Sequence, residues 1–199
     1  MKMPPLSANK IMIIIGCILV FLMVLSAGLS TAKHLHLAGQ CHDGDLKACT
    51  ILIASPMPEK ERGRYLAMRG YFLDQKGDYD NAIADYGNAI SRVPPQAPLY
   101  ANLASTYVKK GRYDDAIQNY SLAINLVPAN TAPGLYCGRA EAEYHKGNTA
   151  HGDADLATAR KIAPQAACIV KLQQSLAPAP SPAPMPVPAP GPGAAPPAR

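Results

Sequence analysis

The chain has 199 residues, of which 48% are apolar and 17% are charged, and its formal net charge is +5. This length fits one domain with appendages and excludes a large multidomain enzyme, because domains cluster near ~100–150 residues. Four of the 19 basic residues lie within the first 33 positions or at Arg199, and the others almost balance the 14 acidic residues. The charge therefore gives no reason to expect a nucleic-acid partner.

Residues 1–32 have the pattern of a bacterial export signal. The apolar run from Ile11 to Leu25 carries no charge, follows two lysines and leads to small residues that end at Ala32. These features fit cleavage after Ala32. The alternative is an uncleaved membrane anchor over residues 11–29, because a span needs ~20 apolar residues. We favour cleavage, since the run is short for a span. Either way, we expect the rest of the chain in the periplasm or at the periplasmic face of the inner membrane.

The central part of the chain repeats itself. Landmarks recur 34 residues apart, and a third copy follows at a spacing of 36. The pairs are Gly77 and Gly111, Ala82 and Ala116, Tyr86 and Tyr120, Ala89 and Ala123, and Pro94 and Pro128. Each copy predicts two amphipathic helices; in the second copy these are residues 99–110, ended by Gly111, and residues 114–126, stopped by Pro128.

This pattern resembles the tetratricopeptide repeat (TPR). The family landmarks map in the second copy onto Tyr100, Leu103, Ala104, Tyr107, Ala116, Tyr120 and Pro128. The third copy departs from them at Glu143 and Gly152. The resemblance implies an all-α TPR solenoid of three helix-turn-helix repeats at residues 63–96, 97–130 and 133–166. Residues 33–62 would form an N-terminal cap with a partial helix pair, and residues 165–176 a C-terminal capping helix.

Four cysteines lie outside the apolar run, which in an exported chain favours disulfides. On one continuous helix, Cys41 and Cys49 would be about 12 Å apart, beyond the ~7 Å limit for bridging. The turn signal Asp43-Gly44 could fold one cysteine back onto the other, so we predict a Cys41–Cys49 disulfide, with two buried thiols as the alternative. A Cys137–Cys168 pair is a weaker prediction, because core packing would explain these residues equally well.

The segment around Cys41 and Cys49 also carries a second resemblance and a candidate metal cluster. Its spacing before tyrosine-rich repeats resembles exported TPR proteins of alphaproteobacteria. The cluster consists of His34, His36, Cys41, His42 and Cys49. Its spacing matches none of the common zinc patterns, so we predict no metal or other cofactor. Motifs of nucleophilic, phosphate-binding and metalloprotease sites are missing from the sequence, which predicts a non-enzymatic protein.

The TPR resemblance implies a concave groove lined by the first helix of each repeat. The predicted groove residues are Arg64, Met68, Tyr71, Asp74, Asn102, Ser105, Lys109, Glu141, Tyr144 and His145. Chaperone-binding TPRs carry a clamp for two carboxylates; only Asn102 matches it here, and the other clamp positions hold Ala67, Tyr71, Gly134 and Gly138. We therefore predict no binding to the acidic C-termini of chaperones.

Residues 177–199 hold ten of the 20 prolines, mostly with alanine and glycine. This composition is typical of a disordered, extended tail. The leading hypothesis is an adaptor of the bacterial envelope that binds a peptide or helix of an unidentified protein in the groove. The alternatives are a structural tether that uses the proline-rich tail, and a metal-responsive envelope protein that uses the His/Cys segment.

Overall fold

The computed structural model describes residues 8–128 and 131–176, and this part of the chain is helical, with no strand. The helices are α1 (Ala8–His42), α2 (Leu46–Ala54), α3 (Glu59–Gln75), α4 (Tyr79–Ile90), α5 (Ala97–Lys109), α6 (Tyr113–Asn125), α7 (Pro133–Lys146), α8 (Thr149–Ile162) and α9 (Ala167–Leu176). Residues 177–199, predicted to be a disordered tail, lie outside the described residues, as do residues 1–7.

The turn inside each helix pair is built by a glycine with a left-handed backbone. At Gly111, φ is +77°, and the amides of Gly111 and Arg112 donate to the carbonyls of Val108 and Tyr107. These two hydrogen bonds satisfy carbonyls that the helix end leaves free, and they reverse the chain direction. The same backbone pattern recurs at Gly44, Gly77 and Gly147. The turn at Gly44 precedes that at Gly77 by 33 residues, one fewer than the spacing of the repeats, so α1 and α2 form a helix pair ahead of the three repeats.

The helices form two layers. Each odd-numbered helix contacts the next odd-numbered one, from α1 to α9, whereas no two even-numbered helices are in contact within the described residues. Helices that touch along a curved array lie on its inner side, and those that are spread apart lie on its outer side. Helices α3, α5 and α7 therefore line a concave face, and α9 continues this row.

Interlocking of small and large side chains holds the layers together. In the first half, Ala82, Tyr86 and Ala89 are fully or almost fully buried against Leu66 and Leu103. Removal of this apolar surface from water drives the helices together, at about 25 cal/mol per Å². A second cluster joins α7, α8 and α9 and is made of Cys137, Ala140, Leu156, Ala159, Ile169 and Leu172. The capping helix α9 is thus part of the core.

Helix α1 is longer than expected. It continues for 35 residues without a break at Ala32, and the exposed side chains of its first half include Met12, Phe21 and Leu22. No helix among the described residues is long and apolar enough to cross a membrane. Cleavage after Ala32 stays a prediction.

The second half of α1 packs on the solenoid as its N-terminal cap. After the turn at Gly44, Asp45 accepts hydrogen bonds from the first amides of α2. The turn brings Cys41 and Cys49 to a Cα–Cα distance of 4.7 Å with their sulfur atoms bonded. Both residues are fully buried beside Leu52. This geometry supports the predicted bridge, which closes a small loop and adds about 2–3 kcal/mol of stability.

Candidate functional site

All ten predicted groove residues lie on the three helices of the concave face. Arg64, Met68, Tyr71 and Asp74 lie on α3; Asn102, Ser105 and Lys109 lie on α5; and Glu141, Tyr144 and His145 lie on α7. They differ in what they can offer a partner. Arg64 and Asn102 are exposed, as is Tyr71, with 48% of its surface accessible. Several of the others are already bonded within the chain.

Asp74 and Lys109 bind each other. Asp74 is buried, and its carboxylate accepts a hydrogen bond from the hydroxyl of Thr106 and pairs with the ammonium of Lys109. The side chain of Lys109 stays partly exposed and lies 5.9 Å from the ring centre of Tyr79. Since both charges are neutralised, this pair links the first repeat to the second and leaves little charge for a ligand in the middle of the face.

Three further predicted groove residues have structural partners. The hydroxyl of Tyr144 donates to Asp153 at 2.7 Å, and its ring covers the backbone of Gly152. The ring of His145 stacks on Tyr113 at a centroid distance of 5.2 Å. Met68 packs against the N-terminal cap, with its sulfur 3.6 Å from that of Cys41. These three side chains lie on the inner helices α3 and α7, and their intramolecular contacts were not visible in the sequence.

The concave face ends in a pocket between α7 and α9, which we call the terminal pocket. Its volume is about 210 Å³. It is lined by Tyr120, Gly134, Cys137, Gly138, Glu141, Cys168, Lys171, Leu172 and Ser175. The sulfur atoms of Cys137 and Cys168 are bonded, with the Cα atoms 6.0 Å apart, so the weaker of the two predicted disulfides joins the walls of this pocket.

Tyr120 reaches the terminal pocket because Gly138 has no side chain. A Cβ atom at Gly138 would lie only 2.4 Å from Cζ of Tyr120, so the ring occupies the space that any other residue would fill. Burial, aided by the charge of Glu141, raises the pKa of Tyr120 to about 12, although Ser105 acts in the opposite direction. Tyr120 is therefore neutral at physiological pH and presents a polar hydroxyl on an apolar wall.

The sequence analysis missed two ion pairs that hold the first and third repeats. The guanidinium of Arg69 binds both carboxylate oxygens of Asp85, at 2.7 and 2.8 Å, and Arg139 binds Asp155 in the same way. The hydrogen bond to its aspartate raises the pKa of each arginine further. Each arginine also reaches a hydroxyl of the preceding even-numbered helix, on Thr50 or Ser121. The sequence could have indicated both pairs, because in each of them the arginine and the aspartate are 16 residues apart.

The structure brings no group of three metal-ligating residues together within residues 8–128 and 131–176. Cys41 and Cys49 are bonded to each other, and the ring of His34 lies edge-on to Tyr65 at 6.4 Å. The buried carboxylates that could do acid–base chemistry have structural partners, as in the hydrogen bond that Asn148 donates to Glu143.

Comparison with known proteins gives the same fold. Residues 75–134 match the family model of the tetratricopeptide repeat. No curated protein matches the chain. Among solved structures, the second TPR domain of human RPAP3, in complex with an HSP70 peptide, is 24% identical; the match covers 57% of this chain and 96% of that domain, with a TM-score of 0.51.

Two other solved structures match more of the chain at lower identity. YrrB, described as a TPR protein with an unusual peptide-binding site, is 13% identical over 72% of this chain and 71% of its own, with a TM-score of 0.60. A tetratricopeptide repeat protein from Parabacteroides merdae is 16% identical over 71% of this chain and 58% of its own, also with a TM-score of 0.60. The chain thus has the all-α tetratricopeptide-repeat fold, and its residues 75–134 match the repeat family directly.

Proposed function

We propose that the chain is a non-enzymatic adaptor that binds a peptide or helix of another protein on its concave face. The observation that carries the proposal is the combination of exposed side chains, Tyr71 and Asn102 among them, with the open terminal pocket on the same face. Grooves of this kind bind extended or helical segments through a few anchor side chains. Peptide complexes of RPAP3 domains with the same fold support this use of the face.

We further propose that the adaptor works in the bacterial envelope, as an exported protein of the periplasm. The support comes from the signal-like residues 1–32 and from the two cysteine pairs, because disulfides persist in oxidising compartments. The resemblance of the Cys41 to Ser55 segment to exported TPR proteins of alphaproteobacteria points to the same place. A metal-responsive role has no support among the described residues.

The partner should differ from the acidic peptides bound by the RPAP3 domains. Those peptides end in EEVD. Of the five clamp positions of this chain, only Asn102 keeps the clamp residue, and none carries the positive charge that two carboxylates require. We expect no tight, salt-sensitive binding of such a peptide.

Affinity capture from an envelope extract tests the proposal. The bait is the full chain, and the groove variant combines Tyr71→Ala with Asn102→Ala. The matched control, Gln118→Ala, changes an exposed residue of α6, which belongs to the outer layer. We expect the original chain and the control to retain the same protein and the groove variant to lose it. Equal capture by all three baits would contradict binding on the concave face.

A further inference from the structure

A second pocket, which we call the outer pocket, lies on the outer side of the third repeat. Its walls are the outer helices α6 and α8, which are not in contact within the described residues, and its floor is the inner helix α7. Its volume is about 320 Å³. Its lining includes Ile117 and Ser121 of α6, Glu143 of α7, and His151 and Ala154 of α8. The outer pocket shares no residue with the terminal pocket of the concave face.

The first repeat holds an equivalent pocket between α2 and α4, and the two pockets have the same base. Each base is an arginine that binds an aspartate and a hydroxyl of the preceding outer helix. These residues are Arg69, Asp85 and Thr50 in the first repeat, and Arg139, Asp155 and Ser121 in the third. The pockets differ where Leu73 of the first is replaced by Glu143 in the outer pocket. The outer pocket thus has one more carboxylate than its equivalent.

Glu143 has one oxygen that the chain does not use. The residue is buried, with 7% of its surface accessible. Its Oε2 accepts a hydrogen bond from the side-chain amide of Asn148 at 2.8 Å and lies 3.9 Å from Nδ1 of His151. Its Oε1 accepts no hydrogen bond from the described residues and is open to the pocket. Because a carboxylate oxygen away from bulk water gains most from a charged donor, Oε1 is a binding position for a cation.

The cations near Glu143 already have partners. On the same helix, Arg139 binds both oxygens of Asp155, and Lys146 pairs with an aspartate of α6. The side chain of His151 has 76% of its surface in water, which screens its charge when it is protonated. The outer pocket therefore holds one negative charge without an equal partner among the described residues.

The geometry of the site favours an ammonium group over a guanidinium. Arginine binds a carboxylate best through two parallel hydrogen bonds, which need both oxygens. In Glu143 one of these oxygens is held by Asn148. Lysine has a compact charge that a single oxygen can bind. Ile117 and Ala154, on the two walls, offer apolar surface to its hydrocarbon stem.

From these observations we propose that the outer pocket binds a lysine side chain of a second protein, with the ammonium at Oε1 of Glu143 and the stem between Ile117 and Ala154. This site goes beyond the proposed function, because it lies on the outer side of the solenoid and the groove lies on the inner side. A chain with both sites can hold two other proteins at once. The departure of the third repeat from the family pattern at Glu143 then serves binding.

An NMR titration of the full chain tests the proposal. The probe is Nα-acetyl-lysine methylamide, and the control ligand is the norleucine analogue, which lacks the ammonium group. We expect the lysine probe to shift the side-chain amide of Asn148 and the backbone amides of residues 139–155, with a dissociation constant in the millimolar range, because one side chain makes few contacts. The norleucine analogue should bind about tenfold more weakly, the effect of one charge-assisted hydrogen bond. Residues 69–85, at the equivalent pocket, should not shift.

Glu143→Gln tests the carboxylate with little change in shape, since glutamine can still accept the hydrogen bond from Asn148. We expect it to weaken the lysine probe about tenfold and to leave the norleucine analogue unchanged. The matched control, Glu61→Gln, removes the same charge from the first turn of α3 at the other end of the solenoid. It should leave the affinity for the lysine probe unchanged.

The contrary results are distinct. Shifts of equal size at residues 69–85, equal binding of the norleucine analogue, or no shift in the millimolar range would each overturn the site, and none of these readings needs a variant. Equal losses in Glu143→Gln and Glu61→Gln would overturn it in favour of general charge attraction. Tighter binding of the arginine analogue would overturn the choice of lysine. The titration needs no partner and leaves the concave face unchanged, so it can fail while the capture experiment succeeds, and the reverse.

Discussion

The middle repeat and its two neighbours fill the same space between the inner and the outer helix with different side chains. In the first and third repeats an arginine of the inner helix binds an aspartate of the outer helix, as Arg139 binds Asp155. In the middle repeat the equivalent positions hold Leu103 and Asn119, and Leu103 is buried in the apolar core. The comparison indicates that the residue at the position of Arg139 must fill the space between the inner and outer helices. This residue can be charged when an aspartate lies 16 residues later in the sequence.

The arginines also reach outside their own repeat. Arg139 binds the hydroxyl of Ser121 on α6, and Arg69 binds that of Thr50 on α2. Leucine cannot make such a bond and contributes only apolar contact. The first and third repeats are therefore joined to the preceding helix pair by polar contacts at this position, whereas the second is joined through the core.

The strongest way to break this comparison is to remove one charge of the third repeat. In Asp155→Asn, Arg139 keeps its charge with only a quarter of its side-chain surface in water. Loss of one partner of a buried pair costs 3–5 kcal/mol, and partial exposure reduces this to about 2–3 kcal/mol here. Urea unfolding followed by circular dichroism measures the change.

The double variant Arg139→Leu/Asp155→Asn gives the third repeat the side chains of the middle one. It should recover most of the loss and unfold within ~1 kcal/mol of the original chain, because leucine removes the unpaired buried charge and an asparagine at this position can donate to a carbonyl of its own helix, as Asn119 does to Asp115. If the double variant is as unstable as Asp155→Asn, the side chains of the middle repeat cannot replace the ion pair of the third repeat, and the comparison is wrong.

The sequence predicted the fold because the TPR pattern depends on features that are local in the chain. Glycines that end helices, prolines that stop them and small residues at fixed spacing are all visible without coordinates. The detailed use of the concave face was not visible. Asp74 and Lys109 are 35 residues apart, and only the stacking of two repeats shows that they neutralise each other. The sequence also did not show that the ring of Tyr120 reaches the terminal pocket, which it can do because Gly138 has no side chain.

A second test concerns the buried tyrosines of the outer helices of the first two repeats, Tyr86 and Tyr120. Tyr86 packs against Gly70 within its own repeat, whereas the middle repeat has Ala104 at the position of Gly70, and Tyr120 lies over Gly138 of the next repeat. We expect Gly138→Ala to displace the ring and to cost about 2 kcal/mol, as in other overpacked cores.

Gly134→Ala is the matched control, because it lies one turn earlier on α7 with open space around its Cβ position. It should leave the stability unchanged or raise it slightly through helix propensity. Equal effects of the two alanines in urea unfolding would show that the ring of Tyr120 does not depend on Gly138.

The smallest expected effect is at the exposed edge of the repeats, where lysines at the ends of inner helices pair with aspartates of the preceding repeat. Lys110 binds Asp80, and Lys146 binds Asp114. The third repeat has Ala150 at the equivalent of these aspartates, so the series ends there. The aspartates are mostly exposed, at 75% and 79% of their side-chain surface. Water and salt therefore screen both pairs.

Lys110→Ala and Lys146→Ala should each lower the unfolding free energy by about 0.5 kcal/mol or less, and the loss should shrink further in high salt. Parallel urea titrations at low and high ionic strength give both numbers. If Lys146→Ala instead matches the loss in Asp155→Asn, the exposed edge would hold the repeats together as strongly as the partly buried arginine does. Burial, which separates the two kinds of ion pair in this molecule, would then not be what decides their strength.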